Sequence, residues 1–459
     1  MEQITKPHCG ARLDRLPDCR WHSSMFAIVA FGLLVCWSNA VGGLILAQLK
    51  ALGWTDNSTT ATFSAITTAG MFLGALVGGI IGDKTGRRNA FILYEAIHIA
   101  SMVVGAFSPN MDFLIACRFV MGVGLGALLV TLFAGFTEYM PGRNRGTWSS
   151  RVSFIGNWSY PLCSLIAMGL TPLISAEWNW RVQLLIPAIL SLIATALAWR
   201  YFPESPRWLE SRGRYQEAEK VMRSIEEGVI RQTGKPLPPV VIADDGKAPQ
   251  AVPYSALLTG VLLKRVILGS CVLIAMNVVQ YTLINWLPTI FMTQGINLKD
   301  SIVLNTMSMF GAPFGIFIAM LVIDKIPRKT MGVGLLILIA VLGYIYSLQT
   351  SMLLITLIGF FLITFVYMYV CYASAVYVPE IWPTEAKLRG SGLANAVGRI
   401  SGIAAPYAVA VLLSSYGVTG VFILLGAVSI IVAIAIATIG IETKGVSVES
   451  LSIDAVANK

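Results

Sequence analysis

The chain has 459 residues, 56% of them hydrophobic and only 12% charged, with a mean hydropathy of +0.72, where soluble proteins carry roughly 25% charged residues. That balance excludes an ordinary soluble enzyme, and the net charge of +9 is dispersed through loops rather than gathered into the basic patch that nucleic acid would require. Apolar runs of about 20 residues recur about twelve times, which fits an all-α membrane protein of twelve transmembrane helices; barrel strands would be shorter and alternating.

Residues 1–23 are polar and basic, a tail with the composition of a disordered segment. No cleavable signal peptide is expected, because the apolar run that follows is too long. His8, Cys9, Cys19 and His22 match no zinc-finger spacing. The seven cysteines, five of them inside spans, imply no disulfide framework, and no metal or cofactor is expected. The first span is expected over 24–48 and the second over 61–82, the latter rich in Gly and Ala, which suits close helix packing in lipid. The second ends in Gly79, Gly82, Asp83, Lys84, Gly86, Arg87 and Arg88, a charged loop that must lie at a water interface. The third span, 89–107, carries Glu95 and His98 three residues apart and so on one face. The fourth, 112–137, contains Arg118 and then Gly122, Gly124 and Gly126, where close packing is a better reason for glycine than helix propensity. Glu138, Pro141, Arg145 and Gly146 follow, then spans five (152–174) and six (182–202), then Pro203-Glu204-Ser205-Pro206-Arg207-Trp208-Leu209.

A central loop occupies 203–263, with an amphipathic helix expected over 212–230 and a Pro-rich stretch over 235–253. Six further spans are expected over 264–291, 302–324, 330–348, 352–378, 390–413 and 418–440, before a short tail, 441–459. The second half repeats the first. Asp324, Lys325, Arg328 and Lys329 restate the loop at Asp83, an offset of 324 − 83 = 241 residues, and Glu380 with Arg389 restates Glu138 with Arg145, at 380 − 138 = 242. Repeats of this kind give two pseudo-symmetric six-helix bundles, 24–202 and 264–440. Alternating the loops between the two sides places about 27 of the 33 Lys and Arg with both termini, which makes that side cytoplasmic.

The loop at Asp83 resembles the signature loop of the major facilitator superfamily. Glu138–Gly146 and the string Pro203 to Leu209 resemble elements of its sugar-porter branch, as does Glu442-Thr443-Lys444-Gly445, with Ile441 replacing a proline. The resemblance spans nearly the whole chain. It implies a transporter moving a small molecule across a membrane by alternating access, with the short cytosolic helices of the central loop beneath the bundle; an enzyme is not expected, since no metal cluster, nucleophile triad or cofactor loop is present, and the compact loops suit a bacterial inner membrane. Arg118 matches the fourth-span arginine of sugar porters, whose proton-coupled members pair it with a first-span acid. Here the corresponding stretch, Trp37-Ser38-Asn39-Ala40-Val41, holds no acid. The hexose-binding pattern of the seventh span is also missing, and Tyr281, Trp286, Pro288, Thr289, Pro383 and Thr384 look more like organic-acid symporter relatives.

Substrate is expected between the halves near mid-membrane. Asn277, Tyr281 and Asn285 recur at i, i+4 and i+8 with Gln280 beside them, a polar stripe with little reason to face lipid. Asn157 and Trp158 in span five and Tyr372 in span ten offer further polar and aromatic groups, although packing would explain them equally. Arg118 and Arg399 are cations deep inside spans and favour a carboxylate, such as a sugar acid. Glu95 with His98 is the expected proton-coupling pair, or else a structural lock between helices. Asp83, Arg87, Arg88, Glu138 and Arg145, with Asp324, Arg328, Glu380 and Arg389, are expected to form ion pairs when the inner gate is shut and to lose them on opening. The reading is a monomeric symporter of protons and a sugar, polyol or sugar acid. An exporter or antiporter of organic anions or drugs is the alternative, since direction is not encoded in these motifs, and a transporter-like sensor is a third possibility with little tail to serve it.

Overall fold

The computed structural model describes residues 7–17, 19–141, 145–240, 253–383 and 386–444, and every regular element among them is a helix. Nine helices among the described residues are long and apolar enough to cross a membrane. The remaining spans of the twelve-helix fold are interrupted or fused. The first is split into Arg20–Val35 and Gly42–Ala51, with residues 36–41 belonging to neither helix. The fifth is split at Trp158 into Arg145–Asn157 and Ser159–Leu170. The eleventh and twelfth run together as Lys387–Ile439, separated only at Gly417, whose φ of 65° is reached without strain by glycine alone.

The described chain divides into two compact units, one made of Met1–Asn39, Gly70–Ser159 and Leu184–Gly246, the other of Ala40–Ala69, Tyr160–Gln183 and Lys247–Lys459. In the first unit the Gly-rich part of Asn57–Thr85 lies against Met111–Tyr139, so closely that a side chain on Gly70 or Gly74 would collide with the backbone of Phe119 or Val123. In lipid, where burial of apolar surface does not drive association, such backbone contact is what small residues provide. An apolar cluster of Ala90, Tyr94, Leu128, Leu132, Phe136 and Tyr139 fills the rest. In the second unit Gly260–Thr293 packs along Lys387–Ile439 and against Gly42–Ala51, where Gly43 meets the carbonyl of Ile284.

Two expectations change. The N-terminal tail is not without structure: Cys9–Asp14 is helical and its Cys9 and Leu13 are buried against Trp208, Leu209, Met222 and Ile225. The expected amphipathic helix is Tyr215–Thr233, and its apolar face, Ala218, Met222, Ile225 and Val229, is closed by that N-terminal helix. A six-residue helix has almost no stability of its own; docking supplies it. Arg12 bonds to Glu226 at 3.0 and 2.6 Å and to Glu219, and Arg15 reaches Glu226 at 2.6 Å. Burial raises the Glu226 carboxyl, but the two guanidinium groups outweigh it and hold the carboxyl below its ordinary value. The Cys9 thiol is pushed up to about 12, first by burial and then by Glu210 beside it. Most of the Pro-rich stretch, 241–252, lies outside the described residues.

Candidate functional site

Each half carries a charge cluster assembled from three elements. In the first, Arg87 opens its helix one residue after Gly86 and bonds to Asp83 at 2.6 Å, one turn back, and to Glu138 at 2.9 Å, from the end of the fourth span. Glu204 lies across the N-terminus of the Arg87 helix and accepts from the backbone N–H of Arg87 at 2.7 Å and of Arg88 at 3.3 Å. Gly86, at φ 97°, leaves room for it, since a side chain there would overlap the Glu204 carboxylate. A carboxylate on unpaired N–H groups at the positive end of a helix is favourable twice over. Arg88 departs from expectation: its Nη2 donates to the Trp199 carbonyl at 2.5 Å rather than to an acid. The Arg145 side chain lies outside the described ones.

The second cluster repeats this. Arg328 bonds to Asp324 at 3.2 Å, to Glu380 at 3.0 and 3.1 Å and to the Ile323 carbonyl. Glu442 accepts from the N–H of Arg328 at 2.7 Å and of Lys329 at 3.1 Å, the counterpart of Glu204. Burial raises the Glu442 carboxyl, while the N–H groups of Arg328, Lys329 and Lys444 bring it below its ordinary value. Thr443 adds a 2.6 Å hydrogen bond to Glu380. Even the tyrosines correspond: Tyr139 donates to the Pro203 carbonyl at 2.5 Å and Tyr377 to the Ile441 carbonyl at 3.1 Å. Arg389 lies instead with its guanidinium 5.1 Å from the Tyr254 ring centre.

Deeper in the first unit, the break in the first span meets the third and fourth. Freed from helical pairing, the Ser38 carbonyl accepts from Arg118 Nη1 at 2.7 Å, and the Ser38 hydroxyl is 2.7 Å from His98 Nε2. His98 Nδ1 stands 3.5 Å from Glu95, and all four residues are at most 1% exposed. Neither carboxylate oxygen of Glu95 has a hydrogen bond among the described residues. Glu95, His98, Ser38 and Arg118 thus line up as polar neighbours across three spans. Ser38 was not singled out by its sequence; the only available signal was a hydroxyl one residue from Asn39 in an otherwise apolar run.

In the second unit the seventh-span stripe lies on one helix, Gly260–Thr293. Asn277 and Asn285 are each 4% exposed, and Gln280 and Tyr281 are half-buried. Asn277 spends one amide hydrogen on its own helix, at the Leu273 carbonyl, and packs beside Gly398, while Tyr281 lies over Gly402. Next to Gly398, Arg399 has its Nη1 buried with no hydrogen-bond partner among the described residues. Tyr372 falls elsewhere. It sits in a π-helical segment, Cys371–Tyr377, stacked on Tyr377 with centroids 5.0 Å apart and packed on Gly332, in the stack beside the Arg328 cluster. In the first unit, Asn157 bonds back to the Ser153 carbonyl at 2.7 Å and Trp158, at the break, is 39% exposed.

Helices of this length and apolarity, with charge gathered at their ends, define an integral membrane protein. Residues 26–406 match the family model of the Major Facilitator Superfamily, and the chain belongs to that family. It is 44% identical to the inner membrane metabolite transport protein YdjE of Escherichia coli, over 98% of this chain and 99% of that one. It is 26% identical to the niacin transporter NiaP of Acinetobacter baylyi, over 96% and 99%. Among solved structures, the xylose transporter XylE of E. coli in a partially occluded inward-open conformation superposes with a TM-score of 0.73 at 18% identity, covering 94% of this chain and 100% of that one. The chain is a multi-pass membrane transporter and not an enzyme.

Proposed function

We propose that this protein is a proton symporter of the inner membrane, with both termini cytoplasmic, that imports a small polar metabolite, and that the metabolite is a sugar acid or a similar small carboxylate. The observation that carries the coupling is the Glu95–His98–Ser38–Arg118 chain: a buried acid without hydrogen bonds among the described residues, joined through His98 and Ser38 to a buried arginine. A proton added to Glu95 removes the need for charge on His98, and Ser38 passes that change to the break in the first span. Asn277, Gln280, Tyr281 and Asn285 supply hydroxyl-recognising groups, and the unpartnered Nη1 of Arg399 supports a carboxylate over a neutral sugar. The relative named for niacin, itself a carboxylate, is consistent with this, as is the relative named for metabolite transport at the inner membrane. The two charge clusters act as the inner gate, opening and closing with a monomer's alternating access.

The test is uptake into proteoliposomes of labelled sugars, polyols, sugar acids and aromatic acids, with and without an inward proton gradient. Gradient-driven accumulation of a carboxylate class is expected. Glu95→Gln should remove the gradient dependence while leaving counterflow exchange intact. Gradient-independent uptake by the unaltered protein would make it a facilitator and end the role assigned to Glu95.

A further inference from the structure

A cavity of about 680 Å³ opens in the first unit beside the N-terminus of the Arg87 helix, within the size range of small-ligand sites. Nothing in the transport reading uses it. Its walls come from the end of the sixth span at Tyr201, from Arg88, and from one face of the helix Tyr215–Thr233 that presents Glu217, Lys220 and Ser224. Of its charges, Glu204 is already committed to the N–H groups of Arg87, Arg88 and Ser205, and Glu217 to Arg214 through two bonds of 2.7 and 2.6 Å. Lys220 is exposed and has no ion pair among the described residues. The Nε of Arg88 is buried without a hydrogen-bond partner there. Two cations therefore face the cavity with donors to spare, and no lining acid is free to answer them.

The sixth span leads into this cavity along an apolar track. Ile189, Ile193, Leu197 and Tyr201 follow one another at four-residue intervals and are 58%, 46%, 38% and 60% exposed, so they form one lipid-facing stripe. Its last member is a cavity wall. Trp199, 64% exposed beside it, is the kind of aromatic that settles at the headgroup level. A ligand matching both parts has a phosphate at one end and an acyl chain at the other.

We propose that the cavity binds the phosphodiester headgroup of an anionic phospholipid, in the leaflet on the side of the termini, with an acyl chain along the Ile189–Tyr201 stripe. Basic pockets between helix ends at this level suit such headgroups. A bound lipid would bridge the sixth span to the helix that also holds the N-terminal helix, stabilising the platform on which Glu204 meets the Arg87 helix.

The test uses the full-length protein in nanodiscs of equal phosphatidylglycerol and phosphatidylcholine, with retained lipids counted by native mass spectrometry. Selective retention of one phosphatidylglycerol is expected. Lys220→Gln should cut that retention roughly five-fold, and Lys220→Gln with Arg88→Gln by about 25-fold. Arg231→Gln, on the same helix but away from the cavity, should leave it unchanged. Equal retention by the double variant at an unchanged melting temperature would overturn the proposal. So would displacement of the lipid by millimolar glycerol 3-phosphate, which would mean that a soluble phosphate suffices and the acyl track has no part.

Discussion

The two charge clusters are built from the same parts and held differently. Arg328 is 6% exposed and spreads its guanidinium over Glu380, Asp324 and a main-chain carbonyl, so it is nearly saturated by its own neighbours. Arg87 is 17% exposed and bonds to Asp83 and Glu138, but helices outside the membrane reinforce its surroundings. Trp208 Nε1 and Arg212 both donate to the Asp83 carbonyl, at 2.7 and 2.5 Å, and Arg207 ties the Glu138 carbonyl to Asp14 of the N-terminal helix. One repeat keeps its charges in place through the arginine, the other through a scaffold. Duplicated charge spacing therefore specifies which residues meet, while the later, unduplicated segments decide how stiffly they are held.

That contrast sets an order of effects. Arg328→Ala should cost about 3 kcal/mol, because it strands partly buried Glu380, whereas Arg87→Ala should cost about half as much; thermal unfolding in detergent measures both, and equal losses would dissolve the distinction. Removing either capping acid, Glu204→Gln or Glu442→Gln, should cost about 1 kcal/mol, since each leaves helix N–H groups with a weaker acceptor. A marked inequality between the two would show that the tails are not equivalent.

Acid should undo the scaffold at the N-terminal helix. Glu226 titrates below its ordinary value when docked, so its contribution is complete above the ordinary glutamate pKa of ~4.3 and fades as pH falls through the lowered one. The protection factors of the Cys9–Asp14 amides, taken against the intrinsic exchange rate at each pH, should fall over that range, and Arg12→Ala should lower them at neutral pH while making Cys9 labelled faster by maleimide. Unchanged protection factors in acid would leave the apolar contact as the whole of the docking.

The smallest change in stability is expected for Asp83→Asn and Asp324→Asn. Their side chains are 62% and 86% exposed, and solvent screening leaves such pairs worth under ~1 kcal/mol. Their effect should appear instead as a shift in cysteine accessibility on the terminus side, and if transport and accessibility both stayed as they were, the gate role would be lost.

Much of this was open to sequence reasoning where the signal is local or repeated. Asp83 with Arg87 and Asp324 with Arg328 are i, i+4 pairs at span ends, and the repeat offset predicts Glu138 and Glu380 as their third members. Arg88 was out of reach because its partner is a main-chain carbonyl, which every residue offers. Tyr372 was undecided for a different reason: packing and a substrate contact ask for the same aromatic ring, and only the structure shows it stacked on Tyr377. The break at residues 36–41 contains neither Pro nor Gly, the usual marks of an interrupted helix.

By itself the sequence determined the membrane class, the number of spans, the duplication and the placement of charge at the span ends. Each of these follows from what a residue costs in hydrocarbon, a property it carries regardless of neighbours. Only the tertiary structure decided that Arg118 would be satisfied by a carbonyl from an unwound first span, that Ser38 would join it to His98 and Glu95, and that a six-residue N-terminal helix would form at all. Those outcomes depend on which groups three distant segments bring within hydrogen-bond reach, and no residue carries that information alone.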